Sequence, residues 1–139
     1  MIVADVKTAF SHAKANKLIY VKLPAEDVTP VDETMCGRLN YSMYGTRDTG
    51  VNWAEGYSGR LIHMGVRQGN ATPRALFLKE RGLLAYGHGG DFVLVGPFKE
   101  LKWMRYQLEQ KYEFTVEALG PDDGRNKEVR VLNHILRWN

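Results

Sequence analysis

The strongest apolar signal in the chain is a pair of short runs, Leu83-Leu84-Ala85-Tyr86 and Phe92-Val93-Leu94-Val95, joined by Gly87-His88-Gly89-Gly90 with Asp91 at the exit. Aromatic and β-branched residues suit a pleated, half-buried surface and glycines supply the positive φ of a narrow turn, so the stretch predicts a tight β-hairpin. Ile2-Val3-Ala4-Asp5-Val6 predicts a buried-type strand over 2–6, and residues 18–23 alternate up to Pro24. Residues 36–40, 75–79, 114–119 and 128–136 read as further extended segments. The period changes over 48–64, where Val51, Ala54, Tyr57, Leu61 and Ile62 recur at helical spacing before a stop at Gly65. Pro97 opens a second helix whose apolar stripe is Leu101, Met104, Leu108 and Tyr112 and whose wet face is Lys99, Lys102, Arg105, Gln107 and Lys111. Residues 11–17 read as a helical turn or a loop, 25–35 as an acidic surface loop unsuited to phosphate, 69–73 as a loop and 120–124 as a turn. This order predicts an α+β fold, an antiparallel sheet with two helices packed on one face.

Composition narrows the picture only slightly. The chain has 139 residues, 44% of them hydrophobic and 25% charged, which fits one globular domain over 1–139 with a core of its own. The net charge of +3 permits a nucleic-acid partner and equally describes an ordinary solvated surface. Cys36 is the only cysteine, so no internal disulfide framework exists and a reducing compartment is expected, cytoplasmic with the nucleus open. No apolar run approaches the roughly 20 residues of a membrane span, so no membrane association is expected.

The candidate chemistry rests on two carboxylates in unusual settings. Asp91 opens the most hydrophobic strand and Asp5 follows Ile2-Val3-Ala4. A charge there requires donors or a cation. Each either caps its local turn or ligates a metal. His12, His63 and His134 read as surface residues, and with Cys36 they lack the short paired spacings of structural zinc. Trp53, Tyr57, Trp103 and Tyr106 suit either core packing or base stacking. Lys99, Lys102, Arg105 and Lys111 alternate with Glu100, Glu109 and Glu113, as on a solvated helix face.

Three stretches, in this order, resemble the reverse transcriptase of copia-type retrotransposons. Asp5-Val6-Lys7-Thr8-Ala9-Phe10 is similar to the motif that opens the polymerase palm, and Ile19-Tyr20-Val21-Lys22-Leu23-Pro24 to the strand after it. Leu39-Asn40-Tyr41-Ser42-Met43-Tyr44-Gly45, with Trp53 eight residues after Gly45, resembles the family's leucine, serine-leucine-tyrosine-glycine and tryptophan pattern. His88-Gly89-Gly90-Asp91 stands where the family carries its tyrosine-x-aspartate-aspartate turn.

The resemblance implies a palm-like domain with a ferredoxin-like core, in origin an RNA-directed DNA polymerase acting on dNTP and an RNA or DNA template-primer. Such enzymes join a 3′-hydroxyl to a triphosphate with two Mg²⁺ ions, or Mn²⁺, about 4 Å apart. It implies that Asp5 and Asp91 are the catalytic metal ligands, with the backbone carbonyl of Val6 beside the nucleotide-bound metal. Amides around Thr8 and Ala9 would face the triphosphate, and Phe10 would lie under the sugar and exclude a 2′-hydroxyl. Several positions depart from the pattern. Gly90 replaces the first aspartate of the paired turn, His88 the usual tyrosine, and Asp48 a glutamine near the nucleotide. Fingers, thumb and RNase H segments are not represented, so the expectation is a palm piece of a longer polyprotein, inactive or strongly impaired, able to self-associate or to meet other polyprotein segments. The alternatives are a non-enzymatic remnant that binds nucleic acid or protein, and an unrelated ferredoxin-like binding domain.

Overall fold

Burial along the first strand sets the architecture. In β1 (Ile2–Val6), Ile2, Ala4 and Val6 are buried, Val3 is also covered, and Asp5 is the one open position. The computed structural model describes residues 1–31 and 34–139; Asp32 and Glu33, in the predicted acidic loop, lie outside them. β1 is followed by a 3₁₀ turn at Ala9–His12, then by β2 (Tyr20–Lys22) and β3 (Cys36–Arg38), which pair only with each other. Next come α1 (Thr49–His63), β4 (Arg67–Gln68), β5 (Ala75–Leu78), β6 (Leu83–His88) and β7 (Asp91–Val95). The chain continues through α2 (Phe98–Glu109), β8 (Phe114–Ala118), β9 (Glu128–Val131) and β10 (His134–Arg137).

Six strands form one sheet in the order β4-β5-β6-β7-β1-β8, and every pairing in it is antiparallel. β1 is therefore an interior strand, held by β7 on one side and β8 on the other. The fold is α+β with a mainly antiparallel sheet and two long helices, as the periodicities predict. Ile2, Ala4, Phe92, Leu94, Ala85 and Leu76 share a core with Trp53, Tyr57 and Leu61 of α1 and Leu101, Met104 and Leu108 of α2, so both helices cover the same face. Full burial of each large apolar side chain there contributes about 1.5–3 kcal/mol. The opposite face is open except at one end, where Val3 meets Leu119 and Val129 in a small second cluster.

Three elements differ from the sequence reading. Residues 128–136, expected as one strand, form a hairpin, because Leu132 takes a positive φ of 53° and reverses the chain at Leu132-Asn133. Alternation had already lost its phase there, with Val131 and Leu132 adjacent. The glycine turn of the central hairpin is shorter than predicted: Gly87 and His88 belong to β6, His88 pairs with Asp91, and only Gly89-Gly90 turn, Gly89 at φ 58°. β4 carries no apolar alternation and exists through its pairing of Arg67 with Phe77 and Gln68 with Leu76.

Candidate active site

Asp5 and Asp91 are direct cross-strand partners in the β1/β7 pairing, on the open face of the sheet. The Val6 amide donates to the Gly90 carbonyl at 2.9 Å, so the alternation of antiparallel pairs makes Asp5 and Asp91 a non-hydrogen-bonded pair. Such pairs bring opposite Cα atoms to about 4.5 Å and their side chains closest together. Like charges directly opposite repel. Partial burial first, and the Asp5 carboxylate second, push the Asp91 carboxyl above the usual aspartate range, while His88 opposes the shift. Neither aspartate makes a side-chain hydrogen bond or ion pair with a described residue, so neither serves as a local cap.

Gly90 borders this pair. A Cβ at position 90 would stand 3.3 Å from Asp5 Oδ1 and 3.4 Å from the Val6 carbonyl oxygen, so a side chain there would enter the space those oxygens bound. Its φ is outside the left-handed region, so the backbone itself tolerates a side chain. Among the described residues, no three Asp, Glu, His or Cys side chains gather as a metal site. Two carboxylates and one carbonyl suit a single hard divalent cation whose remaining positions are filled by water. A pair of ions needs a bridging carboxylate, and glycine supplies none.

The segment after Asp5 is held in an unusual conformation. Thr8 is exposed and left-handed, at φ 49° and ψ 39°, a region that costs a β-branched residue. Ser11 donates its amide to the Thr8 carbonyl at 2.9 Å, and Lys7 pairs with Glu113. Ala9 is buried in the core. Phe10 packs its ring 4.7 Å from that of Tyr44, at one edge of a cleft of about 210 Å³ that also touches Trp53, Arg74, His88 and Gly89. Asp5, Val6 and Asp91 are thus brought together, with Thr8, Ala9 and Phe10 on the adjoining turn.

Helix α1 fixes the hairpin from behind. The Trp53 Nε1–H donates to the Gly89 carbonyl at 2.5 Å, and the Tyr57 hydroxyl faces the Gly87 carbonyl at 3.4 Å. A Cβ at Gly87 would lie 2.5 Å from the Tyr57 oxygen, so only glycine fits under that ring. Trp53 and Tyr57 are accordingly core residues, each 2% exposed, and unavailable to bases. Trp103 is half-buried under the Arg81 guanidinium at 4.0 Å, whereas Tyr106 is exposed.

One contact at the site had no sequence signal. Arg74 Nη1 lies 2.9 Å from His88 Nδ1. Guanidinium can only donate, so Nδ1 accepts and the ring proton sits on Nε2. Arg74 lies in the turn before β5 and His88 at the end of β6, fourteen positions on, beyond any local motif. His12, read as a surface residue, is half-buried, with its ring 5.3 Å from Tyr112 and its Nε2 donating to the Lys7 carbonyl at 3.2 Å. Asp48 is neutralised by Lys17 at 2.5 Å. On α2, Arg105 pairs with Glu109 at 2.7 Å and Lys102 lies over the Phe98 ring at 4.6 Å. Among the described residues no helix is long and apolar enough to cross a membrane. Comparison with models of known families, with characterised proteins and with solved structures returns no match to this chain.

Proposed function

We propose that the chain is a palm-like domain of copia-type reverse transcriptase ancestry, with a ferredoxin-like core, whose nucleotidyl-transfer site has lost one of three carboxylates. The observation that carries the reading is the placement of Asp5 opposite Asp91 on the uncovered face, with both helices behind the sheet. Two carboxylates that arrive from separate strands and face each other, with the Asp91 carboxyl held above its usual range by burial and by Asp5, are an arrangement that a cation relieves. In this reading Asp5, Asp91 and the Val6 carbonyl hold one Mg²⁺ or Mn²⁺, which when bound would orient phosphate oxygens. The chain's own part is to fix those oxygens on adjoining strands and to present the Lys7–Phe10 turn beside them. No two-metal step follows from this donor set, and the activity expected of the natural chain is nil or a trace.

The test combines calorimetric titration with Mn²⁺ and primer extension on a DNA-primed RNA template. Asp5→Asn and Asp91→Asn should each abolish the weak binding of the parent chain. Gly90→Asp should tighten it at least tenfold and yield dNTP incorporation that Asp5→Asn again removes. Mn²⁺ binding that survives both Asn variants, or a folded Gly90→Asp variant that binds no more tightly than the parent, would sink the reading. Tighter metal binding without extension in Gly90→Asp would favour a remnant that keeps the site geometry and cannot hold a primer.

A further inference from the structure

A second feature of the open face lies away from the carboxylates. Arg67 pairs with Phe77, Phe77 with Leu84, and Leu84 with Val95, so these four residues form one transverse row across β4, β5, β6 and β7. Val95 is four residues along β7 from Asp91, which sets the row about 13 Å from the carboxylate pair. The row floors an apolar groove of about 540 Å³. Phe77 and Val95 stay 45% and 42% exposed on it, although β-strands normally turn such residues inward. Gly82 and Gly96 form its end wall with bare backbone; a Cβ at Gly96 would lie 2.8 Å from the Gly82 carbonyl oxygen.

The groove's charge is of one sign. Arg67 and Lys79 line it, and neither side chain forms an ion pair or hydrogen bond with a described residue, whereas the neighbouring Arg81 is engaged by Glu100 at 2.6 Å. From this we infer that the groove docks a short acidic segment of a protein partner, a bulky apolar side chain seated on Phe77, Leu84 and Val95 and carboxylates meeting Arg67 and Lys79. Two cations around an apolar floor with a single aromatic ring, Phe77, fit such a peptide better than a nucleic-acid strand, which needs a track of cations and several aromatic platforms. A second copy of this chain is disfavoured by its own net charge of +3. Opposite charge at the rim supplies rate and selectivity, and the apolar floor supplies most of the affinity.

A random twelve-residue peptide library displayed on phage, selected against the whole chain, tests this. Enriched peptides should combine Asp or Glu with Leu, Ile, Phe or Trp. Synthetic copies should bind at least tenfold more weakly to the Arg67→Glu/Lys79→Glu variant and to Phe77→Ser, both of surface positions and both checked by circular dichroism. Binding should also weaken in raised salt. Absence of enrichment, enrichment of basic or uncharged peptides, or equal binding to the variants overturns the proposal. Displacement of the peptide by oligodeoxythymidylate would assign the groove to nucleic acid instead. Self-association of the parent chain that disappears in Phe77→Ser would assign it to a second copy.

Discussion

The indole N–H of Trp53 donates to the carbonyl of Gly89, 2.5 Å away, and so ties the turn of the central hairpin to the helix behind it. Gly89 immediately precedes Gly90 and Asp91, so the position of the carboxylate depends on a helix residue 36 positions before Gly89. Trp53→Phe keeps an aromatic ring and removes the donor. The expected loss is about 2–4 kcal/mol, since the Gly89 carbonyl loses its partner and the smaller ring leaves a cavity in the core. Denaturant unfolding measures that loss, and faster amide exchange confined to residues 88–91 locates it.

Gly87 leaves the least room for a Cβ of any glycine in the chain. A methyl group there meets the Tyr57 hydroxyl at 2.5 Å and its ring carbon at 2.7 Å. Gly87→Ala should cost about 2–3 kcal/mol or more. Tyr57→Leu should recover part of that loss in the double variant, and a double-mutant cycle in urea reads the coupling.

Asp91 holds its proton more tightly in the folded chain than in the unfolded one. Between the unfolded and folded values the native state therefore binds more protons, and stability falls as pH rises through that window. The penalty is absent below the ordinary aspartate value of 3.8 and fully present at neutral pH. Asp91→Asn should accordingly raise the melting temperature at pH 7, with the gain fading as pH falls through the aspartate range. A gain of equal size at pH 3 would contradict the electrostatic origin.

Thr8 carries backbone strain next to the same site. Its φ of 49° is one that glycine adopts without cost, and its side chain caps nothing. Thr8→Gly should stabilise the fold by about 0.5–1 kcal/mol, the relief being partly offset by the greater freedom of an unfolded glycine. A thermal melt decides the sign.

Much of this was legible in the sequence, for reasons that differ by element. The apolar stripe of α2 appears as read at Leu101, Met104 and Leu108, because helical period and burial are the same fact, while Tyr112, expected on the same helix, is buried beyond its end at Glu109. The β6/β7 hairpin was equally plain from its glycines and flanking runs. Asp5 and Asp91 each drew attention as carboxylates at apolar strands, but their direct opposition depends on β1 entering between β7 and β8, which no local pattern encodes. The split of residues 128–136 was hidden because a non-glycine residue, Leu132, makes the reversal. The Arg74–His88 contact and the transverse row at Phe77 are likewise products of register.

The interior position of β1 also governs the order in which the chain can fold. The amine of Met1 donates to the Leu119 carbonyl at 3.0 Å, across 118 positions, and β1 finds both its neighbours only in β7 and β8. During synthesis β1 must therefore wait for β8, the last strand of the sheet in chain order, before both its edges are closed. Such non-local closure slows folding and leaves Ile2-Val3-Ala4 exposed as a sticky edge in the nascent chain. A chain stopped before residue 114 should accumulate in aggregates or on chaperones, while one that extends through Leu119 should become protease-resistant in a single step.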